Sequence, residues 1–242
     1  MYRNKLRIGS SAVGRDGRLR ITNAVDFMQD CACFHLEDNP VLSRYFREEH
    51  CGMYLIYRQV EIVSRPYYNE KITVETATFQ CNRAMGSRNT RLLDSEGKVA
   101  VIDYEIGAFV DLNRAAMIRA PQEVVDAIPM EPPMEMERLP RKIQLPSGEG
   151  KKGSAFTVPR CYIDNFGHMN NSKYIEVTEP LLPHDFEIAR IRLDFRTALL
   201  EGETVTPYIY DQGNTVTVAL MGEDDSHSKA IIEFRSKSSQ SK

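Results

Sequence analysis

Apolar and polar residues alternate with the period of two typical of β-strands along most of this 242-residue chain. In the first half the alternation predicts strands at residues 2–8, 53–63, 72–80, 86–93 and 99–111. One stripe instead recurs at helical spacing, formed by Val25, Met28, Ala32 and Leu36. It predicts a helix from an N-cap at Asn23 to about Leu36, followed by an irregular segment at 37–52. A helix and then a meander of long strands favour an antiparallel sheet with the helix packed on one face.

The second half of the chain repeats this order of elements. It predicts a helix from about Ser172 and strands at residues 154–160, 188–195, 204–210, 215–221 and 229–235. Residues 61–74 and 194–207 also superpose without a gap, so that Glu70 falls on Glu203. The two halves therefore indicate an internal duplication, with a helix wrapped by an antiparallel sheet in each copy.

Prolines concentrate between the two halves, because six of the twelve fall within residues 112–153. This predicts a linker that runs mostly over the surface and carries a short helix at about 121–127. The expected organisation is an N-terminal repeat at 1–111, the linker at 112–153 and a C-terminal repeat at 154–242.

Composition narrows the class of protein. Hydrophobic residues make up 42% and charged residues 27%, and no apolar run is long enough to cross a membrane. The N-terminus lacks the apolar core of a signal peptide, so we expect a cytoplasmic protein without stable membrane association. Five cysteines without CxxC spacing predict neither disulfides nor a zinc site. Phosphate-loop, dinucleotide, zinc-protease and serine-elbow motifs are all missing, so we expect no cofactor and no nucleic acid partner.

Positive charge is concentrated at the N-terminus, although the formal net charge of the chain is -3. The first twenty residues carry six basic side chains against the single acid Asp16. The basic residues are Arg3, Lys5, Arg7, Arg15, Arg18 and Arg20. Such a patch favours an acidic protein or a phosphate-bearing ligand, and a merely solvated face is the alternative.

The main candidate for chemistry is the segment IDNFGHMNNSKY at 163–174, which directly precedes the second predicted helix. In the functional interpretation Asp164 or Asn165 orients the imidazole of His168, which polarises or deprotonates water. Backbone N–H groups near Gly167 and His168 would then hold an oxyanion at the start of the helix. Our hypothesis for an enzyme with such a site is a thioesterase.

A structural interpretation of the same segment stays open, in which Asn170 and Asn171 only cap the helix; for Asn171 capping is the favoured role. Glu176 and Glu179 are expected to face solvent rather than to act in catalysis. On the first helix Asp30 and His35 have apolar neighbours in sequence. For the carboxylate of Asp30 a solvent position is favoured, and a role as an acid or base toward the histidine of the other half is the alternative.

The motif DNFGHMNNSKY resembles the Asp-x-Asn-x-His-Val-Asn-Asn-x-x-Tyr signature of the acyl-acyl carrier protein thioesterases. AVDFMQDCACFH resembles the central-helix segment of that family, and MYLIYRQVEIVSRPYYNEKITVET resembles its next two strands. Residues 83–114 fit its following hairpin, so the resemblance covers nearly the whole chain.

The resemblance implies an α+β double hotdog fold, in which two tandem hotdog repeats each wrap an antiparallel sheet around a central helix. It implies hydrolysis of the thioester that joins a fatty acyl chain to the phosphopantetheine arm of acyl carrier protein. The N-terminal repeat would shape the acyl pocket and the C-terminal repeat would carry catalysis. The acidic carrier protein would suit the basic N-terminus, and the oligomeric state stays open, a homodimer included.

When the family's motif is aligned with this sequence, Asp164 and His168 match its catalytic Asp and His. Asn170 and Asn171 match its pair of asparagines. The family's catalytic Asn falls on Phe166, although Asn165 is adjacent and is expected to substitute for it.

A second departure is that the family's further carboxylate falls on Ala198, with Glu201 or Glu203 as the displaced candidate. The two departures keep two alternatives open. One is an acyl-CoA thioesterase, and the other is an acyl-thioester-binding protein with weakened or lost catalysis.

Overall fold

The structure, a computed structural model, describes residues 1–223 and 227–237. The chain divides into two units, Met1–Arg138 and Leu139–Lys242, and the division falls within the proline-rich segment. No helix in the described part of the chain is long and apolar enough to cross a membrane.

The N-terminal unit is an antiparallel sheet with helices packed against it. Its strands are β1 (Tyr2–Arg7), β2 (Cys51–Ile62), β3 (Lys71–Cys81), β4 (Met85–Leu93), β5 (Val99–Asp111) and β6 (Ala116–Met117). Its helices are α1 (Ile21–Glu37), α2 (Pro40–Glu48) and α3 (Gln122–Asp126). The order of strands is β1-β3-β4-β5-β2, and β6 extends the sheet beside β5. The strands predicted from alternation are confirmed to within two residues.

Helix α1 buries the predicted apolar stripe, because Val25, Met28 and Ala32 are all buried. The predicted N-cap is wrong. The N–H of Ala24 already donates to the carbonyl of Arg20 at 3.0 Å, so the helix begins at Ile21 and Asn23 lies inside it.

Helix α2 was not predicted, since residues 37–52 were expected to be irregular. Asn39 caps it, with its Oδ1 accepting the N–H groups of Val41 at 3.1 Å and Leu42 at 3.2 Å, and Pro40 occupies the first turn. An Asn-Pro pair is an established signal for a helix start, so the sequence did contain the information.

The proline-rich segment packs against the N-terminal unit more closely than expected. The predicted short helix is confirmed as α3, but its Val124 and Val125 are buried in a cluster with Phe109 of β5. Further along, Asn89 of β4 accepts the N–H of Met134 at 3.1 Å. The expectation of a segment that runs mostly over the surface is confirmed, since most of residues 112–153 are exposed. The stretches around α3 and Met134 are the exception, because they cover apolar side chains and one face of the sheet.

The C-terminal unit repeats the arrangement with a shorter helix. Its strands are β7 (Lys151–Lys152), β8 (Phe156–Thr157), β9 (Ile188–Phe195), β10 (Thr204–Asp211), β11 (Thr215–Met221) and β12 (Ser228–Ser236). Its α-helix is α4 (Asn171–Thr178). The order is β9-β12-β11-β10-β7, with β8 paired to β10. The strand predicted at 154–160 shrinks to β8, because a 3-10 turn at Arg160–Tyr162 follows Pro159.

Matching hydrogen bonds in the two units confirm the internal duplication. The carbonyl of Glu70 accepts the N–H of Ile8 at 2.9 Å, and the carbonyl of Glu203 accepts the N–H of Val158 at 2.9 Å. The turns that precede these glutamates contain a left-handed residue at the same point, namely Asn69 with φ 73° and Gly202 with φ 80°. The superposition of Glu70 on Glu203 therefore holds at the level of the backbone.

Candidate functional site

His168 lies on a tight hairpin that leads into helix α4. The N–H of Asp164 donates to the carbonyl of His168 at 2.8 Å, and the N–H of Gly167 donates to the carbonyl of Asp164 at 3.1 Å. Ile163 and Met169 close the hairpin with an antiparallel bridge. Gly167 has φ 81°, a left-handed conformation that glycine adopts without steric cost. The backbone on both sides of His168 is therefore fixed by the turn.

The carboxylate of Asp164 shapes this turn. Its Oδ1 accepts the N–H of Phe166 at 2.9 Å and the N–H of His168 at 3.4 Å. A short side chain that accepts backbone N–H groups ahead of it is a common way to stabilise a turn. Asp164 thus holds the backbone of His168 in place. The two N–H groups expected to bind an oxyanion, those of Gly167 and His168, are already hydrogen-bonded within the turn.

Asn170 is the N-cap of helix α4. Its Oδ1 accepts the N–H of Ser172 at 2.9 Å and the hydroxyl of the same residue at 3.1 Å. Asn171 is the first residue of the helix, so the assignment of the cap to Asn171 was wrong by one position. Asn165 and Phe166 are exposed on the hairpin.

The loop after β9 is bonded to both the hairpin and helix α4. The N–H of Met169 donates to the carbonyl of Leu199 at 2.8 Å, and the N–H of Leu199 donates to the Tyr174 hydroxyl at 3.3 Å. Burial raises the pKa of Tyr174, so the hydroxyl remains neutral. Ala198 precedes Leu199, so the position expected to carry a carboxylate lies beside the His168 hairpin and holds a methyl group.

Glu203, one candidate for the displaced carboxylate, has a structural partner. Its Oε2 accepts the N–H of Leu200 at 3.3 Å, and its Oε1 lies 3.4 Å from Nζ of Lys229. In the N-terminal unit Glu70 accepts the N–H of Tyr67 at 2.8 Å in the same way. Because both copies use this glutamate to stabilise the turn, its presence is explained by the fold. Glu201, the other candidate, is exposed.

We expect Glu203→Gln to leave kcat for thioester hydrolysis within about threefold of wild type and to lower the free energy of unfolding by less than about 1 kcal/mol. The amide still accepts the N–H of Leu200, and only the partly exposed contact with Lys229 is lost. Steady-state kinetics and urea denaturation measure the two quantities. Glu70→Gln, the matched change in the other unit, serves as the control. A hundredfold loss of kcat in Glu203→Gln alone would identify Glu203 as the missing acid.

The N-terminal unit contains a second copy of the hairpin without a histidine. The N–H of Gly14 donates to the carbonyl of Arg18 at 2.9 Å, as Asp164 does to His168, and Gly17 has φ 71°. Arg18 thus occupies the position of His168, and its guanidinium lies 4.4 Å from the centre of the Tyr67 ring. The hairpin itself belongs to the fold, and the imidazole is what distinguishes the C-terminal copy.

The remaining candidates from the sequence have other partners. Glu176 accepts a hydrogen bond from the Tyr162 hydroxyl at 3.2 Å and forms an ion pair with Lys173. Asp30 is exposed on α1, as expected. His35 is partly buried, and its Nδ1 lies 3.0 Å from a guanidinium nitrogen of the buried Arg88.

Solved structures with low sequence identity share the fold over nearly the whole chain. An acyl-ACP thioesterase from Bacteroides thetaiotaomicron is 21% identical, with 97% of each chain covered and a TM-score of 0.85. A 12:0-ACP thioesterase from Umbellularia californica is 14% identical, with 98% of this chain and 96% of that chain covered and a TM-score of 0.82. A Staphylococcus aureus protein solved in complex with CoA is 11% identical, with 60% of this chain and 95% of that chain covered and a TM-score of 0.53. The α+β double hotdog fold is confirmed.

Family models agree with these likenesses, whereas the sequence matches no curated protein. The model of the acyl-ACP thioesterase N-terminal domain matches residues 1–128, and the model of the C-terminal domain matches residues 147–236. Since the first of these alone covers more than half of the residues, the chain is a thioester hydrolase that belongs to the acyl-ACP thioesterase family.

Proposed function

We propose that this enzyme hydrolyses fatty acyl-acyl carrier protein thioesters to free fatty acid and carrier protein, with His168 as the residue that activates water. The observation that carries the proposal is the fixed hairpin at 163–169, which holds one imidazole at the start of helix α4. In the corresponding hairpin of the N-terminal unit the position of His168 is occupied by Arg18, whose guanidinium cannot accept a proton at neutral pH.

In the proposed reaction His168 accepts a proton from water as the water oxygen attacks the thioester carbonyl carbon. The tetrahedral intermediate then collapses, the carbon–sulfur bond breaks, and the imidazolium returns the proton to the departing thiolate. The N-terminal end of helix α4 begins three residues after His168 and favours the negative charge that develops on the carbonyl oxygen.

Four other residues of the hairpin support this reaction in the proposal. Asp164 and Gly167 position His168 through the turn, and Asn170 fixes the start of the helix. Asn165 is exposed, and its amide has no hydrogen-bond partner in the part of the chain that the structure describes. It is therefore available to donate to the thioester carbonyl in place of the asparagine that Phe166 replaces.

The carrier protein is proposed as the partner because of the charge on the N-terminal unit. Arg15 and Arg20 are exposed at the second hairpin, and Arg18 lies beside them against Tyr67. A local excess of positive charge raises the rate at which an acidic protein associates, and salt weakens the effect. The proposed setting is fatty acid biosynthesis in the cytoplasm.

Comparison of two carriers tests the proposal. Thiol release is measured from acyl carrier protein and CoA thioesters that bear the same acyl groups, over a series of chain lengths. We expect kcat/KM to be at least tenfold higher for the carrier protein thioester. Equal or higher values for CoA would favour an acyl-CoA thioesterase, the alternative suggested by the S. aureus relative in complex with CoA. Binding without thiol release on every substrate would contradict the hydrolytic mechanism.

Charge reversal tests the docking surface separately. We expect Arg15→Glu/Arg18→Glu/Arg20→Glu to raise KM for the carrier protein thioester by about tenfold with kcat unchanged, because the substitution removes the attraction that precedes docking. The uncharged acyl-pantetheine thioester should show no change in KM. Reversal of three exposed basic residues elsewhere, at Arg47, Lys98 and Arg114, is the matched control. An unchanged KM for the carrier protein thioester would exclude this surface.

A further inference from the structure

The N-terminal unit contains a buried ionic cluster on the face of its sheet that packs against helix α1. Arg58 of β2, Glu105 of β5 and Arg88 of β4 lie directly opposite one another on adjacent strands. Asp103 lies two residues before Glu105 and therefore on the same face. The exposed fractions are 1% for Arg58, 0% for Asp103, 6% for Glu105 and 8% for Arg88. We refer to these four residues as the ionic cluster.

Contacts within the ionic cluster leave one guanidinium incompletely satisfied. Arg58 Nη2 donates to Glu105 Oε1, and Arg58 Nε lies 3.2 Å from Asp103 Oδ2 without an aligned hydrogen bond. Arg58 Nη1 has no hydrogen-bond partner anywhere in the described residues, and the same holds for Asp103 Oδ2. Arg88 is better satisfied, because its Nη1 reaches Thr76 Oγ1 at 2.9 Å.

A buried charge without hydrogen-bond partners destabilises the folded state. A polar atom that loses water and gains no partner destabilises the folded chain, and a charged group does so more strongly. The contact between Arg58 and Asp103 has no aligned N–H. A ligand atom that enters the ionic cluster would therefore replace this contact at the lowest cost in free energy.

The C-terminal unit shows that the fold does not need these charges. The gapless superposition that places Glu61 on Asp194 also places Arg58 on Ile191. In the N-terminal sheet Arg58 pairs with Glu105, and Glu105 pairs with Arg88 on the next strand. In the C-terminal sheet Ile191 pairs with Phe234, and Phe234 pairs with Val216 in the same arrangement. Asp103 corresponds in the same register to Ile232. The equivalents of the ionic cluster are Ile191, Val216, Ile232 and Phe234, and all are fully buried.

One chain thus contains the same sheet face twice, once apolar and once ionic. Replacing a buried ion cluster by packed apolar residues is often neutral or stabilising, so stability of the fold does not account for the ionic version. A recognition role accounts for both its cost and its unpaired atoms.

Protonation within the ionic cluster favours hydrogen-bond donation. Burial, the charge of Glu105 and a hydrogen bond with that carboxylate raise the pKa of Asp103 well above the usual carboxyl range, which favours a neutral Asp103 that donates to Glu105. Burial and the charge of Arg88 lower the pKa of His35 to about 4, so this neighbour is neutral at pH 7. Within the described residues Arg58 Nη1 is thus a donor without a partner, and the complementary group is an oxygen that accepts hydrogen bonds.

Helix α1 covers the ionic cluster, and its His35 and Cys33 lie nearest to the four charged side chains. The side chain of Cys33 is exposed, yet burial raises the pKa of its thiol to about 11, and Glu105 contributes to the same rise. The exposed Cys33 therefore lies within electrostatic reach of Glu105.

We propose that the ionic cluster recognises an oxygen atom carried on the substrate's acyl chain, as a hydroxyl or oxo substituent, which accepts a hydrogen bond from Arg58 Nη1 and contacts Asp103 Oδ2. The inference rests on the proposed function for the thioester that carries this chain. It adds that acyl thioesters bearing such an oxygen are preferred over unsubstituted ones.

The test transplants the apolar face into the N-terminal unit. The variant Arg58→Ile/Arg88→Val/Asp103→Ile/Glu105→Phe carries the residues of the C-terminal copy. Wild type and variant are assayed on thioesters of one chain length that are unsubstituted, hydroxylated or oxidised to a ketone. We expect wild type to prefer at least one substituted substrate tenfold or more in kcat/KM, and the variant to lose this preference to within threefold. Glu75→Gln/Arg91→Gln, which removes an ion pair elsewhere on the same sheet, should retain it.

Calorimetric binding of the free fatty acid, hydroxy acid and keto acid separates this inference from the proposed function. If wild type hydrolyses nothing but binds a substituted acid at least tenfold more tightly than the unsubstituted one, the recognition stands and the proposed reaction is wrong. If it hydrolyses and binds all three equally, the recognition is wrong. The same conclusion follows if the transplant keeps the preference. Should the transplant fail to fold, Arg58→Lys replaces it, because lysine keeps the charge and removes Nη1.

Discussion

Replacing His168 with alanine is expected to lower kcat for thioester hydrolysis by about a hundred- to ten-thousand-fold, the range that a general base contributes. KM should change by less than about threefold, because the imidazole acts on water and contributes little to binding. The fold should persist, since the hairpin is held by the backbone N–H and carbonyl groups of Asp164, Gly167 and His168, which alanine leaves in place. Thiol release under steady-state conditions gives both constants.

Two matched controls accompany this variant. His184→Ala removes an exposed imidazole from the same unit, and Arg18→Ala truncates the residue that occupies the position of His168 in the other hairpin. Neither should lower kcat by more than about threefold. If His168→Ala retains a third of the wild-type kcat, catalysis lies elsewhere.

The sheet was the most predictable part of the molecule. Alternation of apolar and polar residues is a local signal, and long strands such as β5 and β9 repeat it often enough to set their bounds. Helix α2 was missed because the sequence marks it by a capping residue and not by a helical repeat of apolar residues. Asn39 and Pro40 start the helix, and it then buries only Leu42 and Ser43. The packing of α3 on Phe109 could not be predicted, because it depends on a contact between distant segments.

The candidate site was located from the sequence, but the partners of its side chains were not. Spacing predicts that Asp164 is near His168, whereas only the folded hairpin shows its carboxylate on backbone N–H groups. The choice of Asn170 over Asn171 as the cap depends on one residue of register, which a pattern cannot resolve. Glu203 resembled a displaced acid until the matching turn at Glu70 showed the same bond.

The ionic cluster was not foreseen for a related reason. In a half-buried strand, alternation assigns polar residues such as Arg58 and Glu105 to the solvent face. Here helix α1 packs on that face, and the proline-rich segment reaches Asn89 of the same sheet. Both faces are therefore covered, and alternation no longer distinguishes inside from outside. Comparison of the two units provides the missing information, because the equivalent positions in the C-terminal unit are apolar.

Replacing Arg58 alone with methionine is expected to lower the free energy of unfolding by about 3 to 5 kcal/mol, because it leaves buried carboxyl groups without their cation. The fourfold transplant, which removes all the charges together, should lie within about 1 kcal/mol of wild type or above it. Arg58 opposes the rise in the pKa of Asp103, so its loss raises that pKa further and makes the folded variant bind protons more readily than folded wild type. The deficit of Arg58→Met should therefore shrink as pH falls from 7 to 5.

Urea denaturation at both pH values measures these differences. Arg91→Gln is the control, because Arg91 pairs with Glu75 on the same sheet but remains partly exposed, and its loss should cost less than about 1 kcal/mol. A transplant less stable than Arg58→Met would mean that the N-terminal sheet requires its charges for folding. The apolar copy would then be a poor guide to the ionic one, and recognition would no longer be needed to explain why Arg58 and Asp103 are buried together.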